Sequence, residues 1–339
     1  MPNRTFKLAA FALVTLVISS ASFAVIAQDV ERADKTGDKE EAPVATLKKN
    51  EVARVNNRVF TAEEFIQRLV LREKITSDPD QRTAQWALDS LIIEELLNLE
   101  ANRLAAVAKR RWTDEEYKAL LDEWEATFKR INAAVTDEQK RNGKEAKPYS
   151  REEFVQLKYD MTWPQFTGYL QSVARENVIR RQVVNYWKLT TDSANAEGLY
   201  MRSEDEIKKV RERLVAGEKL GPIAGAESEN MHTRQSGGII GMAYKGDGSF
   251  EPEVDEAFWK LDKEVWSEPI KTQFGYWLVR KAKFFPGNEA PFFQLQEKCL
   301  EMPTVDDKLL LKWRHAVASS GRYAFERRMP GWDCMAGEE

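Results

Sequence analysis

The sequence contains few of the side chains that most often act as nucleophiles, bases or metal ligands. Its 339 residues include two histidines, His232 and His315, and two cysteines, Cys299 and Cys334. His232 has no second histidine, cysteine or carboxylate at ligand spacing, so we predict neither a metal site nor a cofactor. The spacing of the cysteines excludes a Cys-X-X-Cys redox motif. The chain instead has ten tryptophans and sixteen phenylalanines, for which core packing is the main expectation and an apolar binding surface the alternative.

The stretch from 227 to 280 carries the pattern of a compact α+β unit. Gly237 and Gly238 allow positive φ, which we expect between two strands. Pro252 fits the first turn of a helix, where its missing N–H costs nothing. Apolar residues then recur at helical spacing, at Val254, Ala257, Phe258 and Leu261. The aromatic and branched residues from Phe274 to Val279 predict a strand.

Residues 51–188 are predicted to form a helical domain of about five helices. The segment 52–60 alternates around an Asn-Asn turn, as a short hairpin would. A capping box, Thr61 with Glu64, follows it, and further helix starts are predicted at Thr113 with Glu116, Ser150 with Glu153, and Thr162 before Pro164. The broad apolar face of one long helix contains Trp86, Leu88, Leu91, Ile92, Leu96, Leu99 and Leu104.

Aromatic residues within and just before 113–142 have two interpretations. These residues are Trp112, Tyr117, Trp124 and Phe128. They could form a cradle that binds unfolded chains, with a polar rim. The alternative, favoured for the individual residues, is an ordinary helix face packed against its neighbour.

The N-terminus predicts export. Arg4 and Lys7 precede an apolar run and a group of small residues, so 1–27 is interpreted as a secretory signal peptide. The alternative is an uncleaved anchor, because the uncharged segment 8–27 is long enough to span a membrane. Residues 28–50 have few large apolar side chains and mixed charges, so we predict a disordered linker.

The remaining segments are predicted from shorter patterns. Residues 189–197 are small and polar, as in a domain linker. A strand is expected at Leu199–Met201, followed by a helix capped by Ser203 and a short second helix from Gly221. In the C-terminal extension, 287–339, we expect a strand over 291–297 and a helix over 306–318.

The two cysteines lie in this extension. In an exported protein an even pair suggests a disulfide, Cys299 with Cys334. Closing that loop would contribute about 4 kcal/mol by loop-entropy arithmetic. Two free thiols are the alternative.

Composition and charge narrow the classes of function. The chain is 42% hydrophobic and 31% charged, which is compatible with two domains that each bury a core. The net charge is −4 and no basic stripe stands out, which argues against a nucleic-acid partner.

The motifs of the 227–280 stretch resemble the parvulin (PpiC-type, rotamase) family of peptidyl-prolyl isomerases. The matching segments are Ser236-Gly237-Gly238 with Gly241, Pro252-Glu253 with Ala257, Trp259 and Leu261, Ser267-Glu268-Pro269-Ile270, and Thr272-Gln273-Phe274-Gly275-Tyr276. The resemblance implies a parvulin-like α+β domain, 196–286, with a short antiparallel sheet. The hairpin followed by a Leu-rich helix is similar to the N-terminal chaperone region of SurA-like and PrsA-like exported foldases. The fold class is therefore predicted as α+β, with a helical SurA-like domain before the parvulin-like one.

The resemblance also assigns candidate site residues. Parvulins place two histidines around a cysteine or aspartate, beside a Met/Phe proline pocket. Carried over by position, the first histidine falls near Gly198, the Cys/Asp position on Asn230, and the last histidine on Trp277. The pocket positions fall on Phe250 and Val254.

Three further positions match the family as they stand, and with the substituted ones they complete the predicted substrate-binding set. That set is Phe250, Val254, Thr272, Gln273, Phe274, Trp277 and Asn230. No catalytic residue is assigned. A substitute polar site of Asn230, His232 and Thr233 is one interpretation of the loop, and a solvent-exposed His232 is the favoured one.

The predicted function is an exported foldase or chaperone, periplasmic or otherwise outside the cytoplasm, with weak or lost isomerase activity. Its partners would be unfolded or proline-containing exported polypeptides, with membrane proximity if the signal is uncleaved. The alternative is a fully active peptidyl-prolyl cis-trans isomerase. Whether the chain is an enzyme therefore stays open at this point.

Overall fold

The computed structural model describes residue 47 and the ranges 50–75, 84–143, 145 and 147–327. The predicted signal peptide, 1–27, and Cys334 lie outside these residues, as does all of the predicted linker except Leu47 and Asn50. In the described ranges no helix combines the length and the apolarity needed to cross a membrane. Contacts divide the chain into two compact units, Met1–Arg180 with Ala324–Glu339, and Arg181–Tyr323.

The elements follow one another as β1 (Glu51–Val55), β2 (Arg58–Thr61), α1 (Ala62–Ile75), α2 (Ala84–Leu104), α3 (Arg110–Arg141), α4 (Arg151–Tyr159), α5 (Trp163–Thr190), β3 (Ser193–Met201), α6 (Glu204–Val215), α7 (Leu220–Glu227), α8 (Met231–Gln235), β4 (Ile239–Tyr244), α9 (Pro252–Lys260), β5 (Ile270–Lys271), β6 (Tyr276–Phe285), α10 (Phe292–Glu301), α11 (Asp307–Ser319) and β7 (Phe325–Arg327). The helical region followed by a small antiparallel sheet confirms the predicted α+β class.

The first unit contains a small sheet that joins the two ends of its chain. The predicted hairpin is present as β1 and β2, with Asn56 in the left-handed region at its turn. Strand β7 pairs antiparallel with β1 on the other side, giving the order β2-β1-β7. Asn56 strengthens this closure, since its N–H donates to the Ala324 carbonyl at 2.8 Å and its side-chain oxygen accepts from the Ala324 N–H at 2.9 Å.

The prediction that residues 28–50 are disordered throughout is wrong at Leu47. The residue is 6% exposed, and its N–H donates to the Glu326 carboxylate at 3.3 Å. A single large apolar side chain therefore orders this point of the segment by burial.

Helix starts in the first unit follow the capping patterns with one exception. The Thr61–Glu64 and Ser150–Glu153 boxes both form, each with the reciprocal pair of side-chain to backbone hydrogen bonds. The predicted cap at Thr113 is wrong, because α3 already begins at Arg110 and the Thr113 hydroxyl donates to the Lys109 carbonyl within the helix. A threonine inside a helix turns its hydroxyl back onto the preceding turn in this way.

Core packing is confirmed for most of the aromatic residues on α3. Trp124 is 4% exposed and stacks on Phe128 with ring centroids 5.3 Å apart. It also contacts Trp163 and Phe166 of α5 at 5.3 and 5.1 Å. Tyr117 packs against the same cluster. These rings therefore hold α3, α4 and the first part of α5 together.

The second unit is built on a four-stranded antiparallel sheet of order β4-β3-β6-β5. The predicted linker 189–197 is wrong, because α5 continues to Thr190 and β3 begins at Ser193. Ala194 and Ala196 are almost fully buried in this strand. Small residues are required there because α9 packs closely on that face of the sheet.

Each face of the sheet is covered by different helices. Leu199 and Leu278 face α6 and α7, where they meet Ile207, Val210 and Ile223. Val279 and the two β3 alanines face α9, where they meet Val254 and Phe258. The predicted helices at Ser203, Gly221 and Pro252 are all present, and Ser203 accepts the Glu206 N–H at 3.3 Å.

Two local predictions for this unit need correction. Gly237 and Gly238 do have positive φ, but they connect α8 to β4 rather than two strands. The strand predicted over 291–297 is the helix α10, because Phe292, Leu295 and Cys299 are buried at helical spacing. The helix predicted over 306–318 is confirmed as α11.

Candidate functional site

Three of the predicted site residues lie at the sheet face that packs on α9. Trp277 of β6, Phe250 before α9 and Val254 on α9 belong to one apolar cluster with Ile240 and Ile270. They meet there because Pro252 starts α9 two residues after Phe250, and because strand alternation turns Trp277 and Val279 to the same face. The structure therefore brings together three predicted positions that are up to 27 residues apart in the sequence, Phe250, Val254 and Trp277.

Trp277 forms one wall of this apolar surface. It lies between Tyr200 on β3 and Ile270 on β5 in the strand register. The ring of Tyr200 contacts the indole at 5.4 Å with an interplanar angle of 56°. The indole is half-buried, so part of its surface is available to a ligand. Tyr200 was not singled out from the sequence, although its cross-strand position opposite Trp277 makes it part of the same surface.

Phe250 and Val254 differ in how they can contribute. The Phe250 ring is half-buried and packs on Phe258 with centroids 4.8 Å apart. Val254 is 1% exposed, so it supports the apolar surface from within the core. Phe250 is thus the side chain of this pair that a bound chain could touch.

The Thr272–Gly275 turn joins β5 to β6 and uses its polar groups internally. Thr272 is 6% exposed, its N–H donates to the Gly275 carbonyl at 2.8 Å, and its hydroxyl accepts the Phe274 N–H at 3.4 Å. The Tyr200 hydroxyl donates to the Phe274 carbonyl. A Cβ at Gly275 would lie 2.6 Å from that hydroxyl oxygen, so glycine is needed at this close approach.

This turn presents two of the predicted binding residues to solvent. Gln273 is exposed, and Phe274 is 66% exposed. The Phe274 backbone is joined to Tyr200 of the apolar surface by the hydroxyl–carbonyl hydrogen bond, and its large side chain is exposed to solvent. Thr272 positions the turn, while Gln273 and Phe274 are the residues available for contact.

Asn230 has a structural role in this conformation. It is the N-cap of α8, and its side-chain oxygen accepts the Thr233 N–H at 3.1 Å. Thr233 is 1% exposed, and its hydroxyl lies 2.7 Å from that of Ser228. His232 is exposed on α8. The structure therefore agrees with a solvent-exposed His232 and not with a joint polar site of the three residues.

Gly198 leaves no space for a side chain. It lies on β3 opposite Val279, and a Cβ there would overlap the Leu278 carbonyl oxygen. It would also lie 3.0 Å from Val279 Cγ1 and 3.1 Å from Ile240 Cδ1. Close packing of the two strands with β4 therefore accounts for glycine at this position.

The titratable groups near the apolar surface have structural partners. Tyr276 donates to the Glu204 carboxylate at 2.9 Å, and this hydrogen bond raises the pKa of the phenol. Lys281 is 5% exposed and donates to the carbonyls of Trp259 and Leu261 at 2.9 and 2.8 Å, and burial lowers the pKa of its ammonium. Within the described residues no group of three potential metal ligands occurs.

Only one of the two cysteines of the predicted disulfide, Cys299, lies among the described residues. Cys299 is fully buried on α10, and burial raises the pKa of its thiol to about 11. The Asn185 amide donates to the Cys299 carbonyl at 3.0 Å, so α10 is fixed to α5 at this residue. The partner, Cys334, lies outside the described residues, and the bridge stays a prediction.

Comparison with known proteins agrees with this geometry. Residues 190–283 match the family model of the rotamase, or PPIC-type PPIase, domain. The foldase protein PrsA of Clostridium botulinum is 26% identical over 196 residues, which are 57% of this chain and 58% of that protein. Foldase protein PrsA 1 of Bacillus cereus is 30% identical over 120 residues, or 34% of this chain and 40% of the relative.

Among solved structures, a peptidylprolyl isomerase (PrsA) from Bacillus anthracis aligns with a TM-score of 0.33 and 15% identity, covering 72% of this chain and 99% of that one. The chain spans less than two thirds of the length of the curated relatives just described. The family match begins just before β3 and ends within β6, so it contains Phe250, the Thr272 turn and Trp277. Residues 190–283 are therefore a parvulin, or PpiC-type, peptidyl-prolyl isomerase domain.

Proposed function

We propose that this chain is an exported foldase that holds unfolded or proline-containing polypeptides on its parvulin domain, with weak or lost isomerase activity. The observation that carries the proposal is the environment of Trp277. An indole packed on Tyr200 lies at the strand position that the family resemblance assigns to a histidine. The surface around it is apolar.

Prolyl isomerisation makes and breaks no covalent bond. The barrier of about 18–20 kcal/mol arises from twisting an amide out of conjugation. A protein lowers it by holding the proline ring in an apolar pocket, by removing water from the carbonyl, and by stabilising the twisted amide better than the planar one. The first of these tasks needs apolar walls, and the last needs polar groups at fixed positions.

The chain is equipped for the first task. Phe250, Trp277 and Tyr200 supply partly exposed aromatic walls on a rigid sheet, and Phe274 adds a fourth ring at the edge. Aromatic side chains bury a large area at a low cost in conformational entropy, which suits binding of many unrelated sequences. Proline rings and apolar side chains of an unfolded chain are the complementary ligands.

Polar groups for the last task are scarce at the assigned positions. Gly198 has no side chain, Asn230 uses its oxygen to cap α8, and Trp277 offers a single N–H donor. The two histidines lie elsewhere, His232 exposed on α8 and His315 against Gly248. These features support binding over catalysis.

A fully active isomerase is the alternative, and the intact turn favours it. The Thr272–Gly275 hydrogen bonds and the Tyr200–Phe274 contact fix the turn at the edge of the apolar surface. The Tyr200 hydroxyl gives its single proton to the Phe274 carbonyl, so it would have to release that bond to donate to a bound amide. If this hydroxyl stabilised the twisted amide, the domain would catalyse without imidazoles.

Export and the kind of partner belong to the same proposal. The predicted signal at 1–27 would place the chain in the periplasm or otherwise outside the cytoplasm, where unfolded exported polypeptides are available. An uncleaved signal would keep it near a membrane. The helical first unit, with its own aromatic core, would act as the chaperone part that the predicted boundaries 51–188 describe.

The test is a protease-free prolyl isomerisation assay, run beside suppression of aggregation of an unfolded client. We expect aggregation to be suppressed with little or no turnover, and Trp277→Ala to weaken client binding. Trp277→Ala opens space without adding a polar group, whereas Trp277→His adds an imidazole at the same position. Turnover typical of the family in the wild-type chain, lost in Tyr200→Phe, would establish the alternative.

A further inference from the structure

Helix α11 lies outside the segment that matches the parvulin family, yet it contacts a loop of that segment. We infer that Lys312 on α11 is a positioning residue of the apolar peptide surface, because it holds the loop 245–251 that carries Phe250. The inference rests on the proposed function of that surface. It assigns a role in binding to a part of the chain beyond residue 283.

The Lys312 ammonium is surrounded by acceptors from β4 and the loop. It donates to the Met242 carbonyl at 2.7 Å, to the Asp247 carboxylate at 2.9 Å and to the Ser249 hydroxyl at 2.7 Å. An ammonium group has three N–H donors, so this set uses all of them. One side chain thus ties α11 to β4 and to two points of the β4–α9 connection.

Asp247 is the centre of the loop. Its side chain is fully buried, and its two oxygens accept the N–H groups of Tyr244 at 2.9 Å and Ser249 at 2.8 Å. A buried carboxylate is costly unless a cation and hydrogen bonds compensate for lost water. Lys312 supplies that cation from α11. Without it the buried carboxylate would lack its cation, and the loop would open toward water.

The next turn of α11 provides a second contact with the same loop. Gly248 has a φ of +71°, and a Cβ there would lie 2.7 Å from the His315 imidazole. The ring therefore packs directly on the loop backbone. Lys312 and His315 are three residues apart, so both lie on one face of α11.

The loop leads straight into the binding surface. Ser249, which Lys312 contacts, is followed by Phe250, whose ring packs on Phe258 and belongs to the cluster with Trp277. A shift of the loop would move the Phe250 wall relative to the Trp277 wall. The width of the surface that receives a proline ring is thereby set from α11.

The test compares Lys312→Met with Lys308→Met in the full chain. Lys308 is exposed one turn earlier on the same helix, so it is a matched control. Two quantities are measured: hydrogen exchange of the segment 244–250, and the affinity for an Ala-Ala-Pro-Phe peptide followed by NMR titration. We expect Lys312→Met to raise the hydrogen-exchange rate of this segment about tenfold and to lower the affinity for the peptide by a similar factor. Lys308→Met should change neither quantity in this way.

A double-mutant cycle separates positioning from loss of fold. In a Phe250→Ala background, Lys312→Met should lower the affinity for the peptide no further, because the Phe250 ring that Lys312 positions is already absent. Lys312→Gln, which keeps donors but lacks the charge, should give a smaller change and serves if the methionine variant is poorly folded. Unchanged exchange in both Lys312 variants, or an equal loss of affinity in the Phe250→Ala background, would overturn the inference.

The same experiment distinguishes the two proposals. A wild-type chain that binds the peptide, with an effect of Phe250→Ala but none of Lys312→Met, would leave the proposed function standing and refute the positioning role. A wild-type chain that does not bind would refute the proposed function. The positioning role of Lys312 at the apolar peptide surface would then be refuted as well, whatever the hydrogen-exchange result.

Discussion

Lys281 is expected to be a strong determinant of stability in the parvulin domain. Its ammonium donates to the carbonyls of Trp259 and Leu261, at the C-terminal end of α9. The last carbonyls of a helix have no intrahelical partner, and a cation there also compensates the helix dipole. The side chain is 5% exposed, so water cannot replace these bonds.

The expected cost of Lys281→Met follows from these two bonds. Hydrogen bonds from a charged donor contribute about 1.5–3 kcal/mol each. Methionine keeps apolar contact with Phe258 and Trp259, and removing a buried charge recovers part of its desolvation cost. A net destabilisation of about 2.5 kcal/mol is therefore expected, equivalent to a fall in Tm of roughly 7 °C for a unit of this size.

Hydrogen exchange of the β6 amides measures this domain separately from the rest of the chain. Lys283→Met is the matched control, because Lys283 lies on the same strand and is exposed. The control should change stability by no more than about 0.5 kcal/mol. If Lys281→Met differs from the control by less than about 1 kcal/mol, the helix carbonyls do not depend on the ammonium and the reasoning fails.

Three further outcomes are expected. In a Cys334→Ser variant, the thiol of Cys299 should react with iodoacetamide at pH 8 about 100-fold more slowly in native than in urea-unfolded protein, because a pKa of about 11 leaves little thiolate; equal rates would contradict its burial. Ser150→Ala should destabilise the first unit by about 1 kcal/mol in urea unfolding through loss of the cap bond to Glu153, and no change would show the bond to be dispensable. Burial lowers the pKa of His315 below its usual value near 6.5, although Asp247 and Asp255 oppose this and Arg314 adds to it. The unfolded chain then binds the proton more readily than the folded one, so the free energy of unfolding should fall as the pH drops below about 6.5. His315→Gln should flatten the dependence of this free energy on pH in that range if the reasoning holds.

Local patterns predicted the helices best where capping and apolar spacing agreed. Pro252 with Val254 and Phe258 gave α9, and Ser150 with Glu153 gave the start of α4, because both signals are contained within one turn of sequence. The start of α3 was missed because the pattern at Thr113 is also compatible with a position inside a helix.

Segments whose conformation depends on distant partners were predicted less well. Residues 193–197 look like a linker because they are small and polar, but the close approach of α9 to the sheet requires small side chains at Ala194 and Ala196. Phe292 and Phe293 suggested a strand by their aromatic character. In α10 the first is buried and the second is 75% exposed, an arrangement that only tertiary packing decides.

The candidate site shows the same division. Family resemblance identified Phe250, Val254 and Trp277, and the structure places them in one cluster. The capping bond of Asn230 and the internal bonds of Thr272 could not be inferred from residue type alone. The contact of Lys312 with Asp247 joins residues 65 positions apart, for which no sequence spacing gives a signal.

The pairing of β7 with β1 imposes an order on folding. The ribosome makes the β1–β2 hairpin before the strand that completes its sheet, which comes from residues 325–327. The whole of 181–323 must be synthesised in between. The second unit can therefore finish folding first. Until β7 is made, one edge of β1 is unpaired and could pair with other chains. The hairpin is made before the second unit but can be completed only after it.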